Sequence, residues 1–313
     1  MKALVTGGAG FIGSNLVDAL IADGARVEVI DDLSTGREEN LAGAIEAGAV
    51  LHVEDIASGE RIPEIIAAFE PDVVFHLAAQ MDVRRSVDDP AFDATVNVTG
   101  TIRMLSAAAD AGCPRFVFAS TGGAIYGEGA GRTLPFSEDA DRLPIAPYGQ
   151  SKAAAEGYVS LFTRTGRLAG TSLRFGNVYG PRQDPAGEAG VIAIFLGRAL
   201  DGRPVAVFGD GEQTRDYVFV GDVVEAFLAA ASSPPGTFNI ATGEETSVNE
   251  LVAMIGDSFG DREVEVTHEE ARDGEVEAIY LDASAAGSGL GWTPSTGLAE
   301  GLAKTLDSLR TGT

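Results

Sequence analysis

The sequence predicts an α/β protein, a doubly wound parallel sheet followed by a smaller C-terminal α/β unit. Three observations lead there. Short apolar runs alternate with amphipathic stretches through the first half. A glycine-rich turn joins the first run to the first helix. The alternation loosens after about Gly176. Strand and helix in alternation imply βαβ units with right-handed crossovers.

The elements follow in order. "KALVT", "RVEVI", "VLHVE", "DVVFHLA", "RFVFAS" and "TSLRF" read as strands, rich in Val, Phe and Leu. Helices are expected over residues 11–23, 62–69, 92–111 and 148–165. Gly24 and Gly112 stand where helix C-termini favour a residue tolerant of positive φ. Beyond Gly176, "GVIAIFLGRALDG" reads as a helix. "PVAVFGDGEQTRDYVFVGDVVEAFLAAA" reads as two short strands and a helix. "SVNELVAMI" opens with the capping box Ser247 and Glu250, and "GLAEGLAKTLDSL" is an amphipathic helix. Residues 1–175 are expected to form the first domain, with 216–232 packing back on it, and 176–313 the second.

Composition narrows the function. The chain has 313 residues, 45 % hydrophobic and 22 % charged, with a formal net charge of -25. No basic block faces phosphates, which argues against nucleic acid. The apolar runs end well short of the ~20 residues that cross a bilayer. "MKALVTGG" shows no leader pattern, so a cytoplasmic location is the expectation. Cys113 has no second cysteine to pair with. His52 and His268 have no Cys or His partners at ligand spacing, and no metal is expected. His76 reads as a satisfied core histidine.

The turn "VTGGAGFIGSNLVDAL" carries Gly7, Gly10 and Gly13. A tight turn, a pyrophosphate close to the backbone and a helix packed on its strand each require a missing side chain, and the helix N-terminus then faces the phosphates. Asp31 and Asp32 end the next strand. Asp31 lies 31 − 13 = 18 residues past the last glycine, where an acid accepts from ribose hydroxyls and repels a 2′-phosphate. This spacing points to a dinucleotide, NAD rather than NADP.

"PYGQSK" holds one of only three lysines, against nineteen arginines. Tyr148 and Lys152 are i and i+4, on one helix face. A free phenol, with a pKa near ~10, is a poor base at neutral pH. A neighbouring ammonium favours the phenolate, and its compact head suits a ribose better than a planar guanidinium does.

At these residues the chain resembles the extended short-chain dehydrogenase/reductases, and within them the nucleotide-sugar 4-epimerases of the UDP-glucose 4-epimerase type. The resemblance runs nearly end to end, through "TGGAGFIGSNLVDAL", "DDLSTG", "DVVFHLAAQ", "NVTGT", "ASTGGAIYGE", "PYGQSKAAAE", "LRFGNVYGPRQ", "FGDGEQTRDYVFVGDVV", "FNIATG" and "LGWTP". It implies a Rossmann-type sheet with a nucleotide-sugar-binding second domain, and bound NAD. It implies NAD contacts from Gly7, Gly10, Phe11, Ile12, Gly13, Asp31, Asp32, Ser34, Gly36, Asp55, Ile56, Leu77, Ala78, Ala79, Gln80, Asn97, Tyr148 and Lys152. Asn177, Arg182, Arg215 and Arg272 would help hold the nucleotide diphosphate, with Gln80 and Tyr126 close to the sugar.

The implied activity is UDP-glucose/UDP-galactose interconversion by transient oxidation at C4, with Tyr148 as base. UDP-glucuronate or an N-acetylhexosamine substrate, a 4,6-dehydratase and a catalytically silent NAD binder are the alternatives. A dehydratase should carry an Asp-Glu pair after its catalytic Thr, where this chain has Gly122-Gly123. The usual third hydroxyl falls on Gly122, so Thr121 takes that role here, with Ser120 beside it. The place of a bulky aromatic that limits the sugar pocket in some members is Ile279, which predicts room for an N-acetyl group. A homodimer built on helices 92–111 and 148–165 is the family's usual assembly.

Overall fold

A computed structural model describes residues 1–185, 190–260, 264–271, 274 and 276–312. Six parallel strands come from the first half: β1 (Lys2–Thr6), β2 (Arg26–Asp31), β3 (Val50–Val53), β4 (Val73–His76), β5 (Arg115–Thr121) and β6 (Ala169–Phe175). They lie in the order β6-β5-β4-β1-β2-β3, and Thr237–Ile240 adds a seventh parallel strand beside β6. The order reverses between β1 and β4. Ligands of open α/β sheets bind at such a switch point, outside the carboxyl ends of the strands.

The strands read as apolar runs because both faces are covered. On one face, Leu16, Val17 and Leu20 of the Phe11–Ala22 helix meet Val223, Val224 and Phe227 of the Val220–Ala230 helix. Phe227 stands edge-on to Phe75 of β4 and Phe175 of β6, at 5.9 and 5.6 Å between ring centroids. On the other face, Ile62, Ile65, Ile66 and Phe69 pack with Met104, Leu105, Ala155 and Val159. Each such side chain, fully buried, contributes about 1.5–3 kcal/mol.

The expected helix over 92–111 is not one regular helix. Pro90–Ala94 is α-helical, Thr95–Gly100 widens to a π-helical stretch, and Thr101–Asp110 is α-helical again. Pro90 starts it, and Asp89 caps it by accepting from the Phe92 N–H. Gly24 and Gly112 have φ of 75° and 74°.

The remaining elements form a smaller layer around Val191–Leu200, Val248–Ser258 and Leu298–Thr311, whose buried faces share Leu196, Leu251 and Leu302. The Ser247–Glu250 capping box is present in full. Buried Asp222 ties this layer to the sheet side. It accepts from the backbone and hydroxyls of Ser295 and Thr296, while its own carbonyl accepts from the Trp292 indole. No helix among the described residues is long and apolar enough to cross a membrane.

Candidate active site

The glycine turn leaves β1 at the switch point. Gly7 has φ 69°, and a Cβ there would lie 2.6 Å from the Ala78 nitrogen. A Cβ on Gly13 would lie 2.0 Å from the Gly7 carbonyl oxygen, so the first helical turn closes on the loop. The Phe11–Ala22 helix begins at Gly10 with no side-chain cap, which leaves its N-terminus to an anion. Phe11 and Ile12 point away from the loop into the apolar layers below.

Asp31 braces this loop. Its carboxylate accepts from the Ala9 N–H and the Leu33 N–H, each at 2.9 Å, and burial raises its pKa above the ordinary carboxylate value. A Cβ on Gly36 would lie 2.8 Å from an Asp31 carboxylate oxygen, so Gly36 leaves room for the acid. Asp32 is exposed and accepts from the backbone and hydroxyl of Ser34. Asp55, at the end of β3, accepts from the Ala57 N–H and the Ser58 hydroxyl, with Ile56 buried beside it. Leu77, Ala78 and Ala79 run out of β4, and the Ala78 N–H donates to the Thr6 hydroxyl.

The resemblance sets Gln80 and Asn97 beside cofactor and sugar. Both side chains are bonded within the protein. Asn97, on the π-helical stretch, accepts from the Gln80 N–H at 3.0 Å and donates to the Gln80 carbonyl at 2.8 Å. The Gln80 amide accepts from the Asp82 N–H and donates to the Asp82 carbonyl and to Asp93. Together they fix the loop that follows β4.

Tyr148 and Lys152 stand on the Pro147–Arg164 helix, with the ammonium 6.0 Å from the phenol ring centroid. The Tyr148 N–H donates to the buried Ser86 hydroxyl. Lys152 is 3 % exposed, donates to the Ala119 carbonyl at 2.9 Å and lies over the Phe118 ring. Burial lowers its pKa to about 8, against Asp93 and Glu156, which raise it. The phenol departs from expectation: burial, then Asp93, push it well above its ordinary value. The lysine alone does not make it a base.

Thr121 ends β5 and caps the Gly122–Ile125 turn, accepting from the Ala124 N–H at 3.2 Å. Ser120 is buried and donates to Glu156 at 2.6 Å, so that hydroxyl is committed elsewhere. Asn177 approaches the same corner. A Cβ on Gly123 would have the Asn177 amide oxygen at 3.8 Å and the Thr121 hydroxyl at 3.9 Å.

Other expected site residues are bonded or packed within the protein. Tyr126 is fully buried, stacked on Phe136, with its hydroxyl bonded to Asn239 and Arg174. Arg182 pairs through Nη2 with Asp18, two turns down the first helix from the phosphate loop, while its Nη1 is buried with no hydrogen-bond partner. Ile279 is 2 % exposed, packed among Ile125, Tyr126 and Phe136. Arg215 lies on a short strand beside Ile279 and donates to the Thr214 carbonyl. Arg272 lies outside the described residues. His76 is held neutral between the Thr6 and Thr101 hydroxyls, at 2.7 and 3.1 Å.

One residue escaped the sequence reading. Asp93 is fully buried in the Pro90–Ala94 helix and accepts through one oxygen from Gln80 and Asn97. Its position, four residues before Asn97, was the available signal.

A glycine cradle at the switch point and a Tyr-Lys pair at the end of β5 define a Rossmann-type protein of the extended short-chain dehydrogenase/reductase class. Within that class the chain belongs to the family described as GDP-mannose 4,6 dehydratase, whose model matches residues 4–305. It is 47% identical over 312 residues to the UDP-glucose 4-epimerase of Mycolicibacterium smegmatis, covering 99% of each chain. Among solved structures it is similar to a UDP-glucose 4-epimerase with UDP-glucose from Thermotoga maritima. There the TM-score is 0.94 and the identity 45%, over 100% of this chain and 99% of that one. The Thermus thermophilus UDP-glucose 4-epimerase in complex with NAD gives a TM-score of 0.92 at 42% identity, over 100% of both chains.

Proposed function

We propose that this chain is a UDP-glucose 4-epimerase that interconverts UDP-glucose and UDP-galactose on tightly bound NAD. The observation that carries the reading is Tyr148 beside a buried, backbone-anchored Lys152, next to a loop shaped to admit a pyrophosphate. Relatives of that name align with the whole chain.

The residues fit the cofactor. Gly7, Gly10 and the open helix N-terminus would take its pyrophosphate. Asp31 keeps lone pairs for the adenosine ribose, and Lys152 would reach the nicotinamide ribose. Bound NAD would supply a reversible hydride acceptor and, when oxidised, a positive charge beside the phenol. Tyr148 then takes the proton of the sugar 4-hydroxyl and returns it to the other epimer, with Thr121 holding the same oxygen. Asn177 and Arg215 orient the diphosphate, so that the sugar turns while its anchor stays. Asn97 fixes the loop 77–80 against the glycine turn, where Ala78 meets Gly7.

Gly122-Gly123 after Thr121 offers no acid pair for eliminating water, which favours the epimerase over a 4,6-dehydratase. We also infer a cytoplasmic homodimer. Tyr158 and Leu161 are 37 % and 41 % exposed on the helix expected to pair, apolar surface suited to a second copy.

A coupled assay of purified protein with UDP-galactose and NAD tests the reading, following UDP-glucose. Turnover is expected, falling about 10³-fold in Tyr148→Phe with NAD still bound. No turnover with NAD bound would reject UDP-galactose as the substrate and redirect the search to UDP-glucuronate.

A further inference from the structure

We propose that Asp93 is a positioning residue for the Tyr148–Lys152 pair: its buried carboxylate, held through one oxygen and unbonded at the other, is the fixed negative charge that sets the charge state of that pair. The proposal rests on the reading of Tyr148 as the base. Asp93 is 0 % exposed, and its Oδ1 accepts from the Gln80 and Asn97 amides at 3.0 and 2.9 Å. Its Oδ2 is buried without a hydrogen-bond partner. A carboxylate so placed is costly unless a cation compensates it.

The Pro90–Ala94 helix packs directly on the Pro147–Arg164 helix, and the Val83–Asp88 helix packs on both. The charged groups around the site sort themselves. Arg85 lies over the Phe92 ring at 4.0 Å, and Asp82 and Asp89 cap short helices. Glu156 is bonded bidentately to Arg174, and His76 is neutral, with a pKa near 3. Lys152 is a cation and Tyr148 an acid that Asp93 acts on, and both feel its charge.

The clamp serves this arrangement. Gln80 and Asn97 spend their amides on Asp93 and on the loop after β4, so one unit fixes both the loop and the charge. Removing the negative charge favours phenolate over phenol and amine over ammonium, so both groups lose their protons at lower pH.

Asp93→Asn keeps the shape and the accepting oxygen. With only three lysines in the chain, isotope-labelled lysine side chains resolve Lys152 by NMR, assigned through Lys152→Met. The Lys152 titration, near pH 8 in the parent, is expected to move down by about one unit in Asp93→Asn. The kcat–pH profile should move to lower pH with it. An unmoved Lys152 titration, with or without lost activity, assigns Asp93 to the fold alone and overturns the proposal. The NMR readout needs no turnover, so an inactive parent and an absent charge coupling are told apart.

If Asp93→Asn does not fold, the comparison moves to a chain already lacking the cation. Asp93→Asn with Lys152→Met should unfold at a higher urea concentration than Lys152→Met alone, because an uncompensated buried charge is gone. A lower midpoint overturns the proposal.

Discussion

Leu281 occupies the space in which a side chain at position 122 would lie: a Cβ on Gly122 would fall 2.3 Å from the Leu281 Cδ1. The resemblance places a catalytic hydroxyl at that position, and Leu281, itself 1 % exposed, leaves it no room. Gly122→Ser is therefore expected to lower stability by about 1–3 kcal/mol without raising kcat, as overpacked cores do. Pairing it with Leu281→Ala should relieve the clash, though not the lost burial of Leu281. Thr121→Val should cost about 10²-fold in kcat and, because its hydroxyl caps the Gly122–Ile125 turn, about 0.5–2 kcal/mol in stability. An unchanged kcat would remove Thr121 from the site.

Lys152 predicts an alkaline limit to activity. Its ammonium is lost as pH rises through about 8. Below that pH it can donate to Ala119 and to a ribose; above it one charge and one donor are gone. The kcat–pH profile of the parent should fall above about pH 8. Lys152→Arg should not restore the limb at higher pH, because a planar guanidinium does not fit a cleft between Phe118 and the Ala119 carbonyl.

His76 predicts an acid limit to stability. Burial lowers its pKa from 6.5 to about 3. The unfolded chain then binds the proton that the folded chain refuses, so this residue's contribution is complete above about pH 6.5 and is lost as pH falls toward 3. The loss is at most about 5 kcal/mol, taken as 1.36 kcal/mol per unit. Urea unfolding of the parent and of His76→Gln between pH 7 and 4 should show a shallower decline in the variant.

Glu156 and Arg174 form a buried bidentate pair that also receives the Ser120 hydroxyl. Glu156→Ala is expected to cost about 3–5 kcal/mol, since it strands the guanidinium. A midpoint shift near that of an exposed pair such as Arg203–Asp201, about 0–1 kcal/mol, would contradict it.

The six strands of the first half, the phosphate turn and the Tyr-Lys pair were legible because each is local. A strand declares itself by composition, a glycine turn by spacing and a helix face by an i, i+4 step. The rest depends on partners distant in sequence. "FNI" of Thr237–Ile240 is too short to show a period, and only β6 makes it a strand. Nothing in "GPRQ" announces that Arg182 pairs with Asp18, 164 residues away. Nothing beside Tyr126 in the sequence announces Arg174 and Asn239, which bond its hydroxyl. Asp93 drew no notice because its meaning lies in three side chains from three elements. The phenol's raised pKa is hidden for the same reason: the lysine is visible in "PYGQSK", but the burial that raises the phenol most, and then the opposing carboxylate, are not.

The seventh strand has a consequence for how the protein is made. During synthesis β6 emerges long before Thr237–Ile240, and until that segment follows, the nascent sheet presents an unpaired row of backbone donors and acceptors. The ribosome must deliver about three-quarters of the chain before this edge is covered. A chaperone that shields open edges would matter most in that interval. A chain stopped by a premature codon before Thr237 would keep the sticky edge for good and be cleared as an aggregate rather than survive as a smaller working unit.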